Sequence, residues 1–175
     1  LDAVILSKVN RRIFNAILER SAFPHILAHG PPGTGKTTAI LNLVHEYVRR
    51  EGCTNAGMVI HLNASDDRGI EIIRTHVARF SQTKGVFAQG TKFVILDEAD
   101  YMTASAQIEL QKVLRDSDKR VRFCLICNYV ARLAGPLRDE LLALRFDRLP
   151  SACIQAMLKS ICAQERIRRP QSHIQ

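Results

Sequence analysis

The stretch Gly30-Pro31-Pro32-Gly33-Thr34-Gly35-Lys36-Thr37 decides the fold. It fits GxxxxGK[ST] at every fixed position, and that pattern carries weight only between a strand and a helix. Both are present. His25-Ile26-Leu27-Ala28-His29 reads as a short apolar strand after the break at Pro24, and residues 36–50 set Ile40, Leu43, Val44 and Tyr47 at helical spacing. Glycines let the backbone wrap closely around a polyphosphate. Free N–H groups at the helix start point inward with partial positive charge. Lys36 adds a full charge near the β and γ phosphates, and the Thr37 hydroxyl suits Mg²⁺.

Working outward, helical and extended patterns alternate. Residues 3–20 carry Val4, Ile5, Val9, Ile13, Ile17 and Leu18 at helical spacing. Residues 57–62 read as a strand, and 68–80 as a helix with Ile70, Ile73, Val77 and Phe80 on one face. Lys92-Phe93-Val94-Ile95-Leu96 is a continuous apolar run of the kind buried on both faces of a parallel sheet. A helix over 103–115, a strand over 121–127 and a short strand at Leu144-Arg145-Phe146 follow. Residues 151–168 are helical, with Ile154, Met157, Leu158 and Ile161 as the apolar stripe. This alternation predicts an α/β fold, a five-stranded parallel sheet between helices. The boundary falls near Leu149-Pro150, giving a core over 1–149 and the start of a smaller helical unit over 150–175.

The second motif is Phe93-Val94-Ile95-Leu96-Asp97-Glu98-Ala99-Asp100, an apolar strand ending in carboxylates. Open α/β sheets bind ligands at that strand edge. Asp97 is placed to hold Mg²⁺, and Glu98 to orient or deprotonate an attacking water. Asn128 follows the strand at 121–127, where its amide reaches a γ phosphate or that water; alone it reads as a turn residue.

Composition agrees. The 175 residues hold 25 Lys and Arg against 17 Asp and Glu, a net charge of +8. A hydrophobic share of 46% excludes a disordered tail, and no apolar run reaches the roughly 18 residues of a membrane helix. The opening LDAVILSKVN has neither a basic leader nor a small-residue cleavage site, so no secretory signal is expected; lacking Met, it reads as part of a longer chain. Five cysteines, an odd count, fit free thiols in a reducing compartment. Cys124 and Cys127 form a CxxC inside a strand, where positions three apart face opposite sides and cannot share a metal. Residues 68–92 set Arg68, Arg74, Arg79, Lys84 and Lys92 against one acid, Glu71, and so form a candidate surface for nucleic-acid phosphates, or a solvated helix face.

The motifs resemble those of the AAA+ ATPases, a family of P-loop NTPases, and within it the small subunits of the sliding-clamp loader, replication factor C. The resemblance runs from about residue 13 to 149. It rests on Pro24-His25-Ile26-Leu27, on the phosphate loop through Thr38, on Leu62-Asn63-Ala64-Ser65-Asp66-Asp67-Arg68-Gly69-Ile70, on Ile95 to Asp100 and on Arg122 to Tyr129. It implies that Gly30 to Thr38 bind ATP, with Thr37 and Asp97 on Mg²⁺, Glu98 activating water and Asn128 as first sensor. It further implies a hetero-pentamer of clamp-loader subunits, a ring-shaped sliding clamp and primer–template DNA held through phosphates, without a membrane. A eukaryotic protein of this kind would be nuclear. The alternatives are an ATP-binding structural subunit with weak hydrolysis, or another AAA+ ATPase of DNA metabolism. Three departures stand out. Glu140 occupies the place of an arginine that reaches the neighbouring subunit's ATP site, with Arg138 two positions away. Gln111-Lys112 replaces a basic pair. The lid's second-sensor arginine, the collar and the N-terminal segment that closes the adenine pocket are expected to lie outside the chain.

Overall fold

The computed structural model describes residues 5–52, 56–65, 77, 79–80, 90–118 and 120–164. Helix α1 spans Lys8–Arg20, strand β1 Ile26–His29 and helix α2 Lys36–Arg50. A 3₁₀ turn at Ala56–Met58 leads into β2, Val59–Asn63, and later come β3, Lys92–Asp97, and a second 3₁₀ turn at Ala99–Tyr101. Helix α3 is Ala104–Asp116, β4 Val121–Cys127, the short helix α4 Gly135–Arg138, β5 Leu142–Arg145 and helix α5 Ser151–Gln164.

The five strands are parallel in the order β2-β3-β4-β1-β5. The central strands β1, β3 and β4 are buried on both faces, which explains their unbroken apolar runs. Alternate residues feed two cores. Ile26, Ala28, Phe93 and Ile95 pack with Phe14, Ile17, Ile40, Leu43 and Tyr47 of α1 and α2. Leu27, Val94 and Leu96 pack with Ala106, Leu110 and Leu114 of α3 and with Leu137 and Val77. Cys124 belongs to the first core and Cys127 to the second, so the CxxC thiols do face opposite ways. Burial pushes the Cys127 thiol up to about 12, with Asp100 adding to the shift, so it is inert packing.

Several boundaries differ from the sequence reading. Helix α1 starts at Lys8, not residue 3, because the Ser7 hydroxyl accepts the Asn10 N–H at 3.1 Å and caps it there. Buried Asn10 then donates from Nδ2 to the Arg145 carbonyl at 2.8 Å, fastening α1 to β5. The edge strands β2 and β5 sit at 59–63 and 142–145, offset by up to two residues from their expected places. Half-exposed edges carry a weaker apolar signal than central strands. Most of the expected helix over 68–80 lies outside the described residues; Val77 is buried, and Arg79 is helical and exposed. The stripe of α5 is uncovered among the described residues: Ile154, Met157, Leu158 and Ile161 are each 40–44% exposed. No helix among the described residues is long and apolar enough to cross a membrane.

Candidate active site at the strand edge

Strands β1, β3 and β4 end side by side, and their C-terminal residues and loops wall a cleft of about 450 Å³. Pro32, Gly33, Lys36, Thr37, His61, Asn63, Asp97, Glu98 and Asn128 are among its lining residues. The loop needs its glycines for different reasons. Gly30 has φ +147°, and a Cβ there would lie 1.9 Å from the Phe146 carbonyl oxygen. Gly33 and Gly35 face open space but hold φ +73° and +81°, the left-handed turn that swings the chain into α2. Buried Thr34 pins the loop by donating its hydroxyl to the Pro31 carbonyl at 2.9 Å.

Lys36, the first residue of α2, turns back under the loop. Its ammonium donates to the carbonyls of Gly30 and Pro31, each at 2.9 Å, and to Asn128 Oδ1 at 2.8 Å. Burial lowers its pKa from the usual lysine value, and Asp97 opposes that shift. Thr37 donates its hydroxyl to Asp97 Oδ2 at 2.8 Å, joining the two motifs across 60 residues of sequence. Asp97 Oδ1 accepts the Glu98 N–H at 2.9 Å. Glu98 itself sits at φ +55°, a conformation that costs a non-glycine residue about 1–2 kcal/mol. Such strain gathers at functional sites.

The structure therefore brings Lys36, Thr37, Asp97, Glu98 and Asn128 into one cleft, as their spacing predicts. For a divalent ion the donor set fits: a hydroxyl and a carboxylate are hard oxygen ligands suited to Mg²⁺. Among the described residues no three His, Cys, Asp or Glu side chains form a metal cage, so such an ion needs phosphate and water to complete its shell.

Sequence reasoning missed two supports. Asp100, 4% exposed, accepts the N–H groups of Asn128 at 3.3 Å and Tyr129 at 3.1 Å. It thus fixes the backbone that carries the Asn128 amide. Buried Gln107 donates to the Met102 and Arg132 carbonyls and accepts the Ala134 N–H, tying α3 to the segment after β4. The signal for either was only a polar residue inside an apolar pattern. A second cavity of about 350 Å³ lies behind Thr34, walled by Ile5, Leu6, Ser7, Asn10 and Arg145 through Pro150, with Cys153.

Of the candidate phosphate-contacting cations, Arg68, Arg74 and Lys84 lie outside the described residues. Lys92 is engaged in the fold: its ammonium donates to the Phe80 carbonyl at 3.0 Å and lies 5.2 Å from the Phe80 ring centroid. Glu140 is ion-paired with Arg115 through Nε and Nη2, both at 2.8 Å.

The model of the ATPase family associated with various cellular activities (AAA) matches residues 26–149. This chain belongs to the AAA family. Among curated AAA relatives, it is 38% identical over 151 residues to replication factor C subunit 3 of Saccharomyces cerevisiae, covering 86% of this chain and 44% of that protein. It is 39% identical over 150 residues to replication factor C subunit 5 of Homo sapiens, with the same coverage of 86% and 44%. To the replication factor C small subunit of Archaeoglobus fulgidus it is 36% identical over 168 residues, 96% of this chain and 52% of that protein. The chain spans about half the length of these relatives. Among solved structures, the RuvB Holliday junction branch migration motor of Thermotoga maritima superposes with a TM-score of 0.75 at 14% identity, covering 97% of this chain and 55% of that one. At that identity it shows a shared AAA-type fold alone.

Proposed function

We propose that this chain is the ATP-binding and ATP-hydrolysing core of a clamp-loader small subunit, acting in the placement of a ring-shaped sliding clamp on primer–template DNA. The observation that carries the nucleotide reading is the Thr37–Asp97 hydrogen bond, with Lys36 and Asn128 joined beside it. The clamp-loader reading rests on the similarity to replication factor C small subunits.

In this reading, Gly30 through Thr38 wrap the phosphates of ATP, and the Lys36 ammonium exchanges its carbonyl and Asn128 partners for phosphate oxygens. Thr37 and Asp97 hold Mg²⁺, which when bound offsets charge on the β and γ phosphates. Glu98 takes a proton from the attacking water as its oxygen bonds to the γ phosphorus and the bond to the bridging oxygen breaks. Asn128 orients that water or the γ phosphate. The second cavity takes the adenine. Ile5, Leu6, Ser7, Lys8 and Asn10 supply one wall of it, and in this reading that stretch helps to close the adenine pocket.

Residues 1–149 form the nucleotide-binding core, and 150–175 begin a helical lid. The partners are the other subunits of a hetero-pentamer, the sliding clamp, and DNA phosphates met by Arg68, Arg74, Arg79 and Lys84. A eukaryotic source places the protein in the nucleus. A second reading, an ATP-binding subunit that does not activate its neighbour, is favoured by one observation. Glu140 is a carboxylate, and Arg115 holds it. An arginine acting across an interface contributes about 10³–10⁵ in rate, and a carboxylate contributes none of it.

The test is turnover of the reconstituted assembly with clamp and primed DNA, comparing wild type with Lys36→Ala in this subunit. Reduced turnover and lost nucleotide binding are expected. Equal turnover in the two assemblies rules out hydrolysis at this site and leaves a structural role.

A further inference from the structure

His61 lines the cleft and takes no part in the roles assigned so far. It sits on β2, in register with Ile95 of β3, two residues before the pair Asn63 and Asp97. Its Nε2 lies 3.8 Å from Asp97 Oδ2. That is the same oxygen that accepts the Thr37 hydroxyl at 2.8 Å. An imidazole nitrogen, a carboxylate and a hydroxyl from three different elements therefore converge at one point. Two are hard oxygen donors, and the third is the donor type that favours later first-row metals over Mg²⁺.

We propose that His61 is a nitrogen donor to the divalent ion of this site, giving the chain a preference for Mn²⁺ or Co²⁺ over Mg²⁺ on its bound nucleotide. The inference rests on the Thr37–Asp97 metal reading and deepens it. Bonds of about 2.1 Å at right angles set neighbouring ligands about 3 Å apart. The 3.8 Å separation closes to that by a shift of under about 1 Å. The His61 side chain is 40% exposed, which leaves room for the movement. One imidazole, one carboxylate and one hydroxyl leave three octahedral positions for phosphate and water, so the nitrogen tunes an ion that nucleotide delivers.

The experiment uses the full protein with ATPγS and Mn²⁺, followed by electron paramagnetic resonance and by the electron spin echo modulation of the bound ion. In wild type, the Mn²⁺ signal shows ¹⁴N coupling of directly bound imidazole, and ¹⁵N-histidine labelling changes its pattern. In His61→Gln that coupling is lost. The Mn²⁺ over Mg²⁺ preference, read by competition, falls about tenfold, the lower end of what ligand-shell changes cost in affinity. Bound Mn²⁺ without histidine nitrogen coupling, or an unchanged preference in His61→Gln, overturns the proposal while leaving the nucleotide reading intact. Mn²⁺ that stays free with nucleotide in wild type overturns both, and Thr37→Ala then behaves as wild type.

Discussion

Lys36 Nζ donates to Asn128 Oδ1 at 2.8 Å, so the residue that would grip phosphate is held by the residue that would sense it. The contact spans 92 residues of sequence and joins the start of α2 to the end of β4. It gives the buried ammonium a partner when no phosphate is present, and nucleotide must displace it. Asn128→Asp replaces a neutral acceptor with a charged one. Hydrogen bonds to charged groups contribute about 1.5–3 kcal/mol, so ATP affinity is expected to fall about tenfold to a hundredfold. Calorimetric titration with ATP and ADP measures it, and unchanged affinity would mean that the contact does not compete with phosphate.

Asp100 offers a separate handle on the same residue. It accepts two backbone N–H groups, from Asn128 and Tyr129, while almost wholly buried. Asp100→Ala leaves both donors without that partner, at about 1–3 kcal/mol each. A fall in stability of about 2–6 kcal/mol is expected in urea unfolding. Asp100→Asn keeps one acceptor and is expected to lose about half as much. In the Asn variant, ATP turnover is expected to drop more than ATP binding, because the Asn128 amide loses its fixed aim. Equal losses in binding and turnover would reduce Asp100 to a structural residue.

Some of this was legible in the sequence and some was not, for physical reasons. The bounds of α2 match the sequence reading of 36–50 to the residue because helical periodicity is a local signal. The central strands read well because burial on both faces leaves unbroken apolar runs. Glu140 and Gln111 were visible as departures, but that Arg115 holds Glu140 depends on a fold contact across 25 residues. Asp100 ends the strand-edge motif in the sequence, and nothing local tells which backbone its carboxylate faces. The requirement for Gly30 is stricter than a turn demands, because Phe146 comes against it from a distant strand end. The α5 stripe is apolar at helical spacing, yet nothing among the described residues covers it.

The loop glycines give a paired prediction. Gly30→Ala places a Cβ 1.9 Å from the Phe146 carbonyl, a backbone atom that cannot turn aside. That backbone is also held in the sheet, since the Phe146 N–H donates to the His29 carbonyl at 2.8 Å. A loss above about 4 kcal/mol is expected, enough to prevent recovery of folded protein. Gly33→Ala meets open space and carries only the left-handed backbone cost, about 1–2 kcal/mol. It should fold with a lower melting temperature. Thermal unfolding of both variants decides the matter, and equal destabilisation would mean that close approach to Phe146 is not the constraint.

His25 makes the fold acid-sensitive in a definite direction. Its Nδ1 accepts the Phe123 N–H at 3.1 Å, which requires that nitrogen to be unprotonated. Burial lowers its pKa from the usual histidine value, Arg122 lowers it further, and Glu140 opposes them. The unfolded chain therefore binds this proton first as pH falls. The contribution of neutral His25 to stability is complete above about pH 6.5, the unfolded value. It is lost as pH drops from there toward the folded pKa. His29 is shifted the same way by burial and Arg145, so wild type carries two such contributions. His25→Asn keeps an acceptor for the Phe123 N–H and cannot titrate in this range. Between pH 7.5 and 5.5 the urea midpoint of wild type is expected to fall further than that of His25→Asn, with the remaining slope of the variant coming partly from His29. Parallel midpoints across that window would show that His25 is not the group that titrates.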